Sequence, residues 1–320
     1  MNETVVRPAS RYGYRSHFRS LLAGSAAWSL GIWLIPQLRA DWASALLVLA
    51  PLVLTPLALP LVAAPARYPW VWRAAGCVQF GAALMVLAAF AVPPGSLAAV
   101  LTLPWLAFTL LIATSGLIRL LSRASRPVAE LCVDAGMFYL AIGGIWLFLT
   151  RAGARPMGFQ EPIVLLTAAH FHYAGFLLPL LTGKAVGKIG GQGARLAGFG
   201  VMFGAPLVAI GIAFSPWLEG VAAWILAAAG FFVAVLQLRL AARCGDLTGR
   251  LLLGMSAFSL MAGMALAAVY GLRMHLEFSW LTIPRMIRIH ANLNAIGFTL
   301  PALLAHNRIE TREHEMDGAQ

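Results

Sequence analysis

Three imidazoles and one carboxylate lie inside long apolar runs of this 320-residue chain: His170, His172, His290 and Asp134. Neutral imidazole is the commonest metal ligand. A neighbouring carboxylate can fix the tautomer of a ligating histidine or relay its proton. The histidines sit in Ala169-His-Phe-His-Tyr-Ala-Gly-Phe176 and Ile289-His-Ala-Asn-Leu-Asn-Ala-Ile-Gly-Phe298. The second stretch adds Asn292 and Asn294, and Glu130 and Glu161 complete the polar set. An ionisable group at bilayer depth costs about 3 kcal/mol on the insertion scale, so each of these is a functional candidate.

Helical spacing sorts them. His170 and His172 are two residues apart, roughly 200° around a helix, so an undistorted helix cannot aim both at one small site. His290 and Asn294 are i and i+4 and share a face, as do Glu130 and Asp134. Glu130 lies close to Arg126, at headgroup level, and Asp134 one turn deeper. Glu161 precedes Pro162 at a helix start, where a carboxylate favours the positive end of the dipole. Arg285 and Arg288 are placed to snorkel toward headgroups. The sharpest expectation is that His172 and His290 face one polar interior, with His170 contributing from another side. The bland alternative is interhelical hydrogen bonding without chemistry.

Composition dictates what positions these groups. Sixty per cent of residues are hydrophobic and 11% charged, with a mean hydropathy of +0.81. Soluble domains carry roughly 25% charged residues. Soluble enzymes, disordered chains and nucleic-acid modules are therefore set aside, and an all-α polytopic membrane bundle in contact with the lipid bilayer is expected. Ten segments approach the ~20 apolar residues that cross a bilayer: 20–38, 42–64, 71–92, 97–121, 129–150, 159–182, 196–215, 217–238, 251–272 and 284–305. They form one transmembrane domain, 1–305, followed by a polar and mobile cytoplasmic tail, 306–320. The runs are continuous rather than alternating, which excludes a β-barrel.

The net charge of +11 reads as orientation rather than nucleic-acid binding. With the N-terminus inside, seventeen Lys and Arg fall on inner segments and six outside. That asymmetry places both termini in the cytoplasm. The run after the N-terminal arginines has no convincing cleavage site and is read as a retained first span. Cys77, Cys132 and Cys244 form no metal or disulfide spacing. Trp42, Trp70, Trp217 and Trp280 fall at span ends, as interfacial aromatics do. Residues 183–193, rich in glycine and basic, read as a flexible cytoplasmic connection. They lack the context and ending of a phosphate loop.

Residues 175–181, Gly-Phe-Leu-Leu-Pro-Leu-Leu, match residues 297–303, Gly-Phe-Thr-Leu-Pro-Ala-Leu, at an offset of 122. An even number of spans separates them, so both run in the same direction. Spans three to six against seven to ten thus form a candidate parallel four-helix repeat. Membrane proteins often place sites where repeats meet. Chance reuse of Gly, Leu, Phe and Pro is the alternative.

The two histidine stretches together resemble the YndJ-like family of bacterial multi-span membrane proteins, which implies a cytoplasmic (inner) membrane location. A more distant similarity links them to histidine-bearing spans of haem-copper oxidase subunit I and NnrS-type membrane proteins. That similarity implies His170, His172 and His290 as ligands of haem, copper or iron. The His-His pair and the cross-linked His-Tyr of the oxidases are absent, so oxygen reduction is not expected. Three functions follow: a haem- or metal-binding redox or sensor protein; a proton-coupled transporter or permease for a small molecule or ion; and a lipid-modifying enzyme using acid–base chemistry. In each, Asp134, Asn292, Asn294, Glu130 and Glu161 would supply proton relay or polar support. A purely structural role needs no site at all.

Overall fold

The computed structural model describes residues 11–273 and 280–317. Arg7 and the end of the tail lie outside the described residues. The fold is helical, and no strand occurs among the described residues. Ten long helical segments follow one another among the described residues, with a short helix Pro36–Ala40 between the first two: α1 Arg11–Leu34, α2 Trp42–Leu61, α3 Pro69–Phe90, α4 Ser96–Ser122, α5 Val128–Ala152, α6 Ile163–Ile189, α7 Gln192–Phe214, α8 Pro216–Arg243, α9 Leu247–Gly271 and α10, residues 283–317. Eight of them, α2 to α9, are long and apolar enough to cross a membrane. Segments α1, with a shorter apolar stretch Leu21–Leu34, and α10 correspond to the other two expected spans.

Local chemistry sets the helix starts. Asp41 accepts hydrogen bonds from Ala43 and Ser44 N–H at the head of α2, and Asp246 accepts from Gly249 N–H at the head of α9. Both satisfy amides that have no partner within the helix. Pro69 and Pro216 begin α3 and α8, where the missing N–H leaves no gap. Glu161 accepts from Leu165 N–H at 3.2 Å and from the Thr150 hydroxyl, so it caps α6 and ties it to the end of α5.

Helix α2 is the most enclosed of the apolar helices. The outer surface carries exposed Leu97, Leu103, Phe203, Phe231 and Phe258, as a lipid-facing wall requires. Arg151 is turned inward: it is buried, lies 4.6 Å over the Phe90 ring, and donates to the Ala89 and Val92 carbonyls at the end of α3.

Two sequence expectations are corrected here. Helix α6 continues to Ile189, so the glycine-rich connection is mostly helix. The chain turns only at Gly190 and Gly191, whose φ values of 68° and 88° exact glycine. Residues 306–317 are not loose but continue α10. Ion pairs dock that end of the helix: Lys184 to Glu310, Lys188 to Glu313 at 2.6 Å, and Arg308 and Arg312 to Asp246.

The offset seen in sequence recurs in geometry. Helices α3 to α6 begin at 69, 96, 128 and 163, and α7 to α10 at 192, 216, 247 and 283. Within α6 the backbone widens to a π-helix over Phe171–Leu177, and within α10 over Leu293–Thr299, 122 residues later. Two more π-helices occur among the described residues: Ala50–Leu54, which interrupts α2, and Ile287–Ala291, earlier in α10 and without a closely following proline. The stretches in α2, at 171–177 and at 293–299 each end two residues before a proline: Pro56, Pro179 and Pro301. A proline in a helix has no N–H for the carbonyl four residues back and crowds that carbonyl. The backbone there is wide enough to accommodate it as a π-turn. In α6 and α10 the residue carrying that carbonyl is Gly175 or Gly297. A Cβ on Gly175 would meet Tyr139 at 3.2 Å and one on Gly297 would meet Ser259 at 2.5 Å, so glycine also permits close approach to α5 and α9.

Candidate functional site

The repeat equivalence extends to side chains. In α6, His172 Nδ1–H donates to the Ala168 carbonyl at 2.8 Å. In α10, Asn294 Nδ2 donates to the His290 carbonyl at 2.8 Å. The facing helix makes room with glycine in both: a Cβ on Gly143 would stand 2.8 Å from His172 Nδ1, and one on Gly263 2.9 Å from Asn294 Nδ2.

What surrounds the two positions differs. His172 is fully buried. Its Nε2 accepts from Trp105 Nε1–H at 3.0 Å, and the rings stack with centroids 6.0 Å apart. Both nitrogens are therefore occupied, and the ring is a neutral member of a closed network. His290 Nδ1–H donates to the Gly263 carbonyl at 2.9 Å, and its Nε2 accepts from Asn294 Nδ2 at 3.2 Å. Both His290 and Asn294 line a cavity of about 590 Å³.

That cavity lies between α6 of the first repeat and α7 to α10 of the second, with α2 closing one side. Aliphatic and aromatic groups make most of its wall, among them Leu46, Trp146, Phe171, Leu226 and Phe298. Its polar lining includes His170, His290, Asn294, Thr167, Tyr173 and Thr299. His170 forms part of the wall beside His290. The His170 Nε2 atom is covered by protein and has no hydrogen-bond partner. Toward the end that carries the α7–α8 and α9–α10 connections stand Glu219 and Arg273, paired at 2.5 Å, with Arg273 4.2 Å over the Tyr270 ring.

The expectation that His172 and His290 share an interior is thus corrected: His170 is the cavity partner of His290. Because 170 and 172 lie on opposite sides of α6, one of them had to face away. The offset of 122 sets His172 against Asn294, but Trp105 in α4 encloses the first position whereas the second borders a void. The set His170, His172 and His290 does not fit a shared metal centre. Breaking the Trp105–His172 bond would be needed, and no group of three His, Cys, Asp or Glu side chains capable of holding a metal occurs among the described residues.

The carboxylates stand elsewhere. Asp134 is buried and Glu130 half-exposed, and both face Arg119 and Arg123. Arg119 Nε donates to Asp134 at 2.7 Å and Arg123 Nη1 to its other oxygen at 2.9 Å. Glu130 receives both arginines, and Arg119 also reaches the Ala63 carbonyl. Two arginines against two carboxylates neutralise each other where α4, α5 and the end of α2 meet, so Asp134 takes no part in the cavity. Asn292 accepts from Trp42 Nε1 at 3.1 Å and donates to the Arg288 carbonyl, fastening α10 to α2. Glu161 serves the helix cap described above. Sequence reasoning passed over Tyr173, Thr167, Glu219 and Arg273 as site residues. Their only sequence mark is a single polar group in or beside an apolar run.

Fold and cavity together define a polytopic α-helical membrane protein with a ligand-sized chamber between two pseudo-equivalent halves. The family model described as YndJ-like protein matches residues 45–298, and the chain belongs to that family. It is 32% identical over 219 residues to the "Uncharacterized membrane protein YndJ" of Bacillus subtilis (strain 168). That alignment covers 68% of this chain and 40% of the relative, so the chain spans less than half the length of the relative it matches. No solved structure matches it.

Proposed function

We propose that the chain binds an elongated, largely apolar molecule with one hydrogen-bonding head, of the lipid or isoprenoid class, and passes it through the membrane as a transporter. The carrying observation is the cavity of about 590 Å³ with apolar walls and a short polar patch at His170, His290 and Asn294. Its size falls within the roughly 300–1,000 Å³ of small-molecule sites. An unpartnered buried nitrogen such as His170 Nε2 leaves about 1–3 kcal/mol of hydrogen bonding unused. A ligand head group that displaced the protein atoms covering it would recover that energy. The charge asymmetry of the segments supports a bacterial inner-membrane location with cytoplasmic termini, which puts the Glu219–Arg273 end outside.

The test is purification in mild detergent followed by extraction and mass spectrometry of co-purifying molecules. Native protein is expected to retain one lipid-like species in near-stoichiometric amount. Ala291→Trp, which fills the cavity, and His170→Leu should lower it at least tenfold. Equal retention in native and Ala291→Trp protein rejects the reading.

A second reading has one observation in its favour: His170 and His290 border the same apolar chamber. A haem or a copper or iron ion there would be held through His170 Nε2, and through His290 only if Asn294 released its Nε2, and would supply electron-transfer chemistry when bound. An optical spectrum with elemental analysis of the same preparation decides it. A Soret band or bound metal lost in His290→Ala supports it, and a clean spectrum with no metal rejects it.

A further inference from the structure

A second set of buried polar groups lies along α10, beyond the cavity. His306 is fully buried, and neither of its ring nitrogens has a partner. Thr55 in α2 and Thr182 in α6 are also fully buried, and their hydroxyls are unpartnered. These three helices meet at this level. Asn307 Nδ2 donates to the Leu57 carbonyl at 2.8 Å, Lys184 Nζ donates to the Leu61 carbonyl at 3.1 Å, and Lys184 pairs with Glu310. Buried polar groups are almost always hydrogen-bonded, and where protein supplies no partner, ordered water does.

The α10 register extends this set in both directions. Thr299 lines the cavity, and its hydroxyl donates to the Asn294 carbonyl at 2.7 Å. His306 follows seven residues later, two turns on and on the same face, about 10 Å along the axis. Glu310 is one further turn along that face, in its half-buried pair with Lys184. Thr299, His306 and Glu310 thus share one face of α10, with the buried apolar Ala302 and Leu303 between the first two. The charges around His306 are Lys184 and Lys188 on α6 and Glu310 and Glu313 on α10. Helix α9 brings Asp246, held by Arg308 and Arg312, and Arg250. Helix α2 brings none.

We infer that Thr55, Thr182 and His306 enclose water and that His306 passes protons between the cavity at Thr299 and the Lys184–Glu310 end of the bundle. In each passage a water donates a proton to one ring nitrogen while the other nitrogen releases its own to the next water. The ring ends as the opposite tautomer and resets by rotation. No group is consumed, and the membrane potential or pH gradient supplies the drive. The inference stands apart from the ligand reading, since it needs no molecule in the cavity other than water.

The experiment uses the full chain in liposomes, with a potassium diffusion potential set by valinomycin and an internal pH dye. Native protein is expected to take up protons well above protein-free liposomes. His306→Gln fills the same space and binds water but carries no proton, and should lower the rate at least tenfold. Thr182→Val should slow it several-fold. Gel filtration and thermal unfolding establish that each variant is folded. Native flux no greater than that of protein-free liposomes, or native flux in folded His306→Gln, overturns the inference.

Discussion

The π-helical stretch of α6 and that of α10 at 293–299 share a backbone and differ in what stands opposite them. Both widen ahead of a proline, both carry a side chain bonded to the carbonyl four residues back, and both face a glycine. In α6 the side chain is His172, and the fully buried Trp105 seals it. In α10 it is Asn294, which supports His290 at the edge of a chamber. One half became an anchor and the other a lining. A duplicated device can thus diverge in use. The neighbour on the adjacent helix decides whether a polar group is spent on packing or left for a ligand.

The widest separation between the halves is expected from truncating their polar positions. Trp105→Leu removes a fully buried aromatic and strands His172 Nε2, and should destabilise by about 3–5 kcal/mol. Asn294→Leu should stay within about 1.5 kcal/mol while changing cavity retention. Thermal unfolding beside ligand extraction compares them, and equal stability losses would dissolve the distinction.

The glycines sharpen it further. Gly143→Ala drives a methyl against a ring locked by Trp105, at an overpacking cost of about 1–3 kcal/mol. Gly263→Ala meets the end of an amide that borders open space, so its loss should be smaller. Measured unfolding midpoints in the reverse order would mean that α10 is the more tightly packed half.

At the cavity mouth, Arg273→Met breaks a partly exposed pair with Glu219 and should change stability by no more than about 1 kcal/mol. Slower ligand uptake without a stability change would mark that pair as part of the entrance.

The smallest effect concerns the docked end of α10. The Arg308 guanidinium beside Asp246, then the Gly249 N–H and the charges of Arg308 and Arg312, hold its carboxyl down at about 2. The folded value lies below the unfolded one of about 3.9. Docking is therefore complete above about pH 4 and weakens as pH falls toward 2. Proteolysis of the α10 end should rise across that window in native protein and show no such step in Asp246→Asn.

The spans were legible because twenty apolar residues in a row have few other uses, and helix ends followed prolines, Asp41 and Asp246. The polar candidates were legible for the same reason, as exceptions within those runs. Their grouping was not. Asp134 has no mark in sequence separating a proton relay from an ion pair, yet Arg119 and Arg123 on the preceding helix settle it. His306 looked like the start of a polar tail because its neighbours are polar, while the fold buries it completely.

The amino-acid order by itself determined a helical membrane bundle and the short roster of side chains able to do chemistry, and offered a candidate internal repeat. Hydropathy, proline and glycine act locally, so they are readable one segment at a time. Only the tertiary structure decided that His170 rather than His172 joins His290. That choice depends on which helix lies across from each face of α6, and on Trp105, a residue 67 positions away from His172.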